Sequence, residues 1–186
     1  MNNSIPCPDS LYHYYEASKG PFLNLSDFPL EEAERVLGEI RQKGEVFASQ
    51  RDEDYVQIRR ELETKVRQLF IAKGGKPVRE RPHYMILGAC PWLIDWYQDG
   101  RELRVSLAAF QAEIVSFTYG DTFPAMRYQD GKTCRGQVYT LDELTELIRL
   151  HGLPQEWNPD GEFGPDRYIE AQVWDDAPIK QYLKGD

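Results

Sequence analysis

Residues able to do chemistry gather in three segments: Leu11-Tyr12-His13-Tyr14, the stretch from Val115 to Met126, and the stretch from Tyr168 to Ile179. Each sets polar groups among aromatic rings. Glu170 stands in an apolar run, and a carboxylate taken out of water there needs a partner or a task. His13 can hydrogen-bond a hydroxyl without carrying charge. Tyr14 and Tyr119 offer rings to a flat ligand. Asp121 follows Gly120 in a polar turn between aromatics, and such turns line clefts. Plainer roles compete with each of these. His13 can be a hydrogen-bonded structural histidine. Tyr168, Glu170 and Gln172 alternate with Ile169, Ala171 and Val173, which would point Glu170 to solvent at half-buried strand spacing. Gly120 can serve only a tight turn.

Other chemistries lack their residues. His13, His83 and His151 are isolated, with no H-E-x-x-H and no helical histidine pair, so no metal is expected. Asp175-Asp176 fits the acidic start of a turn or helix. There is no G-x-S-x-G elbow, no G-x-G-x-x-G and no Walker phosphate loop. Cys7, Cys90 and Cys134 are odd in number and form no C-x-x-C pair, which argues against a disulfide framework or a zinc ribbon. Cys90, before Pro91 and amid apolar residues, fits a buried inert thiol.

The elements that must position these residues follow from pattern and punctuation. Residues 11–15 predict a short strand. Ser26 or Asp27 near an N-cap and Pro29 in the first turn predict a helix with Leu30, Ala33, Leu37 and Ile40 as its stripe, ended by Gly44. A second helix is predicted from Asp52 to Ala72, closed by Gly74-Gly75. On it Glu61 with Lys65 and Glu63 with Arg67 fall four apart, and Arg59, Arg60 and Arg67 read as a solvated face. Strands are predicted at 83–87, 102–106, 114–119, 136–139 and 167–174. Cys90 to Tyr97 reads as a turn or short helix. Thr140 with Glu143 makes a capping box for a helix to Leu150, and 154–166 reads as a loop. Residues 177–183 read as a short terminal helix or turn.

The order predicts an α+β fold: a mostly antiparallel sheet with helices packed on it, a helical N-terminal half and a strand-rich C-terminal half. A chain of 186 residues with 41% hydrophobic and 28% charged residues fits a single domain over 1–186. Its net charge of −9 opposes generic nucleic-acid binding. No apolar run reaches the roughly twenty residues of a membrane span. The free thiols and an N-terminus without signal-peptide character predict a cytoplasmic location.

The three segments together resemble the ADP-ribosyltransferase fold in its bacterial toxin branch. There an early Tyr-His strand is followed by a middle aromatic strand running into a Pro-Met turn. A late strand then carries a glutamate ahead of Val, an acidic residue and Pro. His13, Ser116 to Met126, and Glu170 with Val173, Asp175 and Pro178 are the matching positions. The resemblance implies NAD as cofactor, Glu170 as catalytic carboxylate and His13 orienting the NAD ribose. It implies Tyr14, Tyr119 and Asp121 as pocket residues. Cleavage at the NAD ribose passes through an oxocarbenium-like state, which a carboxylate stabilises. The sequence departs from the branch where Phe123 stands near the place of an arginine, and where Tyr168 stands two residues before Glu170. The alternative function is a non-catalytic acidic module, immunity- or antitoxin-like, that binds a protein through exposed Trp92, Trp96, Tyr97 or Trp157. The partner is thus a small molecule or a protein.

Overall fold

The structure is a computed structural model that describes residues 6–183. Its strands are β1 (Ser10–Glu16), β2 (His83–Leu87), β3 (Gly100–Ser106), β4 (Val115–Tyr119), β5 (Tyr139–Thr140) and β6 (Ile169–Val173). They form one antiparallel sheet in the order β3-β1-β2-β6-β4-β5. The helices are α1 (Leu30–Lys43), α2 (Tyr55–Ala72), α3 (Thr122–Arg127), α4 (Leu144–His151) and α5 (Pro154–Trp157). The fold is α+β, as the order of patterns predicts.

Both faces of the sheet are covered. On one, Leu11, Met85, Leu87, Val115, Phe117, Tyr119, Ile169, Ala171 and Val173 pack against Leu144, Leu147 and Ile148 of α4. Each Leu, Ile, Val, Met or Phe among them stabilises the fold by roughly 2 kcal/mol when buried. On the other, Leu62, Val66 and Phe70 of α2 pack on Met126, Val138 and Trp174. α1 does not reach the sheet core. Its Ala33 and Leu37 pack on Val56 of α2, with Phe28 and Tyr55 beside them. α1 and the short 3-10 turn at Phe47–Gln50 therefore stand off the sheet and leave space beneath.

Local grammar explains most ends. Gly44 takes φ 66° and its N–H closes α1 on Ile40 O. The Thr140–Glu143 capping box is formed. Several boundaries differ from expectation, among them the start of α2 at Tyr55 rather than Asp52. Asn24 caps a 3-10 turn at Leu25–Asp27, so α1 starts only after Pro29. The strand expected at 136–139 shrinks to Tyr139–Thr140. The stretch 154–166 opens with α5 before turning to loop. That loop is held by Asp166, which is fully buried and bonded to Lys132 Nζ and Arg135 Nη1, each at 2.7 Å. Among the described residues no helix is long and apolar enough to cross a membrane.

Candidate ligand-binding site

Strand register decides which side chains meet. Glu170 lies opposite Ile86 on one side and Thr118 on the other, and Ile86 lies opposite Tyr12. Directly opposed residues share a face. Glu170, Ile86, Tyr12 and Thr118 thus point toward α2, as do Tyr84, Gln172 and Ser116. Where α1 and the 47–50 turn stand off this face there is a cavity of about 740 Å³. That volume suits a small organic ligand. Its floor is Tyr12, Tyr14, Tyr84 and Glu170. Tyr55 and Arg59 of α2, Phe123 of α3, Phe47 and Trp96 form its walls. Tyr55 and Phe123 lie in parallel stack, 4.8 Å between ring centroids. Phe47 and Trp96 stack at 4.0 Å and bridge the 47–50 turn to the 3-10 turn at Pro91–Trp96.

Glu170 is 7% exposed and sits at the end of a buried polar chain. Trp174 Nε1, a donor only, gives its hydrogen to Ser116 Oγ at 2.9 Å. Ser116 then donates to Gln172 Oε1, also at 2.9 Å. That fixes the Gln172 amide, whose NH₂ donates to Thr118 Oγ1 at 3.0 Å and to Thr122 Oγ1 at 3.3 Å. The Thr122 hydroxyl, so occupied, donates onward to Glu170 Oε1, as does the Thr122 backbone N–H at 3.2 Å. Every link follows from the donor-only indole at its head. Oε1 of Glu170 is saturated with donors, while Oε2 has no partner among the described residues. A proton on this carboxyl must sit on Oε2. Burial, with the Asp121 carboxylate next, pushes Glu170 up to about 8.

Asp121 caps α3: its Oδ1 accepts from Phe123 N at 2.8 Å, and its Oδ2 accepts from the Tyr168 hydroxyl at 3.2 Å. Gly120, just before it, has φ 92°, and a Cβ there would stand 2.6 Å from Asp166 Oδ1. The Gly-Asp order therefore follows from close approach as well as from the turn. Deeper in the floor, Glu63 is fully buried and accepts from Arg59 Nε at 3.0 Å, Ser26 Oγ at 2.7 Å and the Tyr84 hydroxyl at 3.0 Å. The Arg59 guanidinium also donates to Asn24 Oδ1 at 2.9 Å and lies over the Tyr84 ring. Arg59 and Glu63 are therefore not a solvated face. They are a buried ion pair joining α2 to the sheet and to the 24–26 turn, and Glu63 pairs with Arg59 rather than with Arg67.

Of the residues singled out in the sequence, Glu170, Asp121 and Tyr14 meet at this cavity. Tyr14 points into it from the Tyr12 face, its hydroxyl accepting from Cys90 N at 2.7 Å. The expectation that Glu170 faces solvent is corrected by burial of both sheet faces. His13 and Tyr119 are placed otherwise. His13 follows Tyr12 and Tyr119 follows Thr118, so strand alternation turns both side chains to the face opposite Glu170. His13 also borders the cavity, its ring stacked on Phe22 at 4.2 Å. Its Nδ1 bonds Tyr84 O at 2.9 Å and its Nε2 accepts from Phe22 N at 3.0 Å. A carbonyl needs a donor and an N–H needs an acceptor, so the ring is the neutral Nδ1–H form with nothing left to offer a ribose. Burial takes it down to about 4. Tyr119 donates to His151 O at 2.7 Å and packs in the core beside α4.

The tryptophans do not form one open patch. Trp92 and Trp96 are half-buried against each other, with Arg167 over Trp92, and Trp157 donates to the Tyr119 hydroxyl at 3.2 Å. Burial pushes the Cys90 thiol up to about 12, which keeps it unreactive. Among the described residues no group of three or more His, Cys, Asp or Glu could hold a metal ion. The buried Arg59–Glu63 pair and the Trp174-to-Glu170 chain escaped sequence reasoning. The one available signal was the i, i+4 spacing of Arg59 and Glu63, which Glu63 shares with Arg67. No protein-family model, no curated protein and no solved structure matches the chain.

Proposed function

We propose that this domain binds a small organic molecule in the aromatic cavity and exchanges a proton with it through Glu170. The observation that carries this is the open Oε2 of a carboxyl whose other oxygen is saturated by donors. A titration point of about 8 lets both protonation states exist near neutral pH, which suits a general acid or base. The aromatic walls would bury the ligand's apolar body, and closure from water would strengthen its polar contacts.

The ADP-ribosyltransferase-like function that the resemblance implies would have to use Glu170 without His13. NAD therefore stays one candidate ligand among several. The protein-binding alternative keeps exposed Tyr97 and Trp157, whereas Trp92 and Trp96 are half-buried. Infrared difference spectra recorded across a pH titration test the reading. A protonated carboxyl band should be present at pH 6.5, fade with a midpoint near 8, and be missing in Glu170→Gln. A band that has gone by pH 6 would remove Glu170 as the proton carrier.

A further inference from the structure

Buried acids elsewhere in this protein have basic partners. Glu63 has Arg59, and Asp166 has Lys132 and Arg135. Asp121 and Glu170, neighbours at the cavity wall, have no ion pair among the described residues, since their bonds come from Phe123 N, Tyr168, Thr122 and Gln172. Arg59 donates to neither of them: its guanidinium is held by Glu63 at 3.0 Å, which Arg81 also approaches at 3.8 Å, and it bears on Glu170 only through space. Glu170, 7% exposed as a residue, turns an Oε2 without a hydrogen-bond partner into this aromatic cavity beside Asp121, and no cation is bonded to either carboxyl among the described residues. Ring faces attract cations as well. Tyr12, Trp96 and Phe123 line the same cavity, while Tyr55 and Tyr84 already hold the guanidinium groups of Arg51 and Arg59 over their rings.

We propose that the ligand is an organic monocation, a protonated or quaternary amine on a ring-sized apolar body, with its positive end at Asp121 and Glu170. This rests on the small-molecule reading above and adds the ligand's charge. One positive charge matches the pair when Glu170 keeps its proton, and a closer approach would release that proton. Of the other groups facing Glu170, Tyr84 and Tyr168 are held far above the ordinary tyrosine range by burial, and Arg59 stays charged.

The test uses matched probes that differ only in charge: tryptamine, tryptophol and indole-3-acetate, and the trio of phenethylamine, 2-phenylethanol and phenylacetate. Binding to the full chain is measured calorimetrically at pH 7 in two buffers of different ionisation enthalpy. The expected result is that an amine binds at least tenfold tighter than its alcohol, with the acid weakest. Asp121→Asn, which keeps the Oδ1 cap of α3, should lose that preference. Binding of the amine should release a proton fraction that Glu170→Gln abolishes. An alcohol or acid that binds as well as the amine, and is displaced by the cavity-filling Ile86→Phe, would overturn the charge assignment and leave the small-molecule reading standing. Silence from all six probes at millimolar concentration would overturn both.

Discussion

Glu170 is the residue whose environment most departs from what its type prefers. Its folded titration point of about 8 stands above the ordinary 4.5, so over that interval the folded protein holds a proton that the unfolded chain has released. Stability from this group is complete below pH 4.5 and is lost as pH rises through 8. His13 and His83 are both lowered by burial and act in the opposite sense, but only below 6.5. Between pH 6.5 and 8 the fall should therefore belong to Glu170, at most about 2 kcal/mol. Glu170→Gln, which mimics the protonated form, should flatten it in chemical denaturation at stepped pH. An equal fall in the variant would show that another group is responsible. Glu170, Asp121 and Tyr14 could be picked from the sequence because each is a polar or aromatic residue among apolar ones. The separation of His13 and Tyr119 from them could not. One residue of strand register reverses a side chain's face, and the register of β1, β2, β6 and β4 is set by pairings between segments far apart in the chain.

At the scale of elements, the β4–α3 junction does the positioning. Gly120 lets the chain turn against Asp166, Asp121 caps α3, and Thr122 meets Glu170, all within three residues. Gly120→Ala combines a left-handed φ with a Cβ 2.6 Å from a buried oxygen. It should cost about 2–3 kcal/mol and disturb the ion pairs of Asp166. Gly44→Ala shares only the left-handed φ, with nothing within 4 Å of the new Cβ, and should cost about 1 kcal/mol. Thermal unfolding of the two variants checks the difference. Equal losses would mean that Asp166 gives way. Helix ends were legible because caps are local: Gly44 and the Thr140–Glu143 box stand where the sequence puts them. The 3-10 turns at Leu25–Asp27 and Phe47–Gln50 were not, since their residues carry no periodic pattern and tertiary contacts fold them.

For the whole molecule, the decisive arrangement is a helical arm held off a sheet whose central strands are covered on both faces. The sequence announces helices and strands in the right order, but the space between them arises because α1 packs on α2 instead of on the strands. The apparent polar spacing of Tyr168, Glu170 and Gln172 misleads for the same reason, since their face is roofed by the arm and α2 rather than by water. One contact between arm and body stands out. Phe47 and Trp96 stack across the cavity's side, with Phe47 itself half exposed. If ligands enter on this side, they would have to part these rings on the way in and again on the way out. The stack would then govern residence time more than affinity. Phe47→Ala should speed association and dissociation together, several-fold in stopped-flow traces, while the equilibrium constant moves much less. Faster dissociation alone would make Phe47 an ordinary wall of the site; matched acceleration of both rates would make it a turnstile.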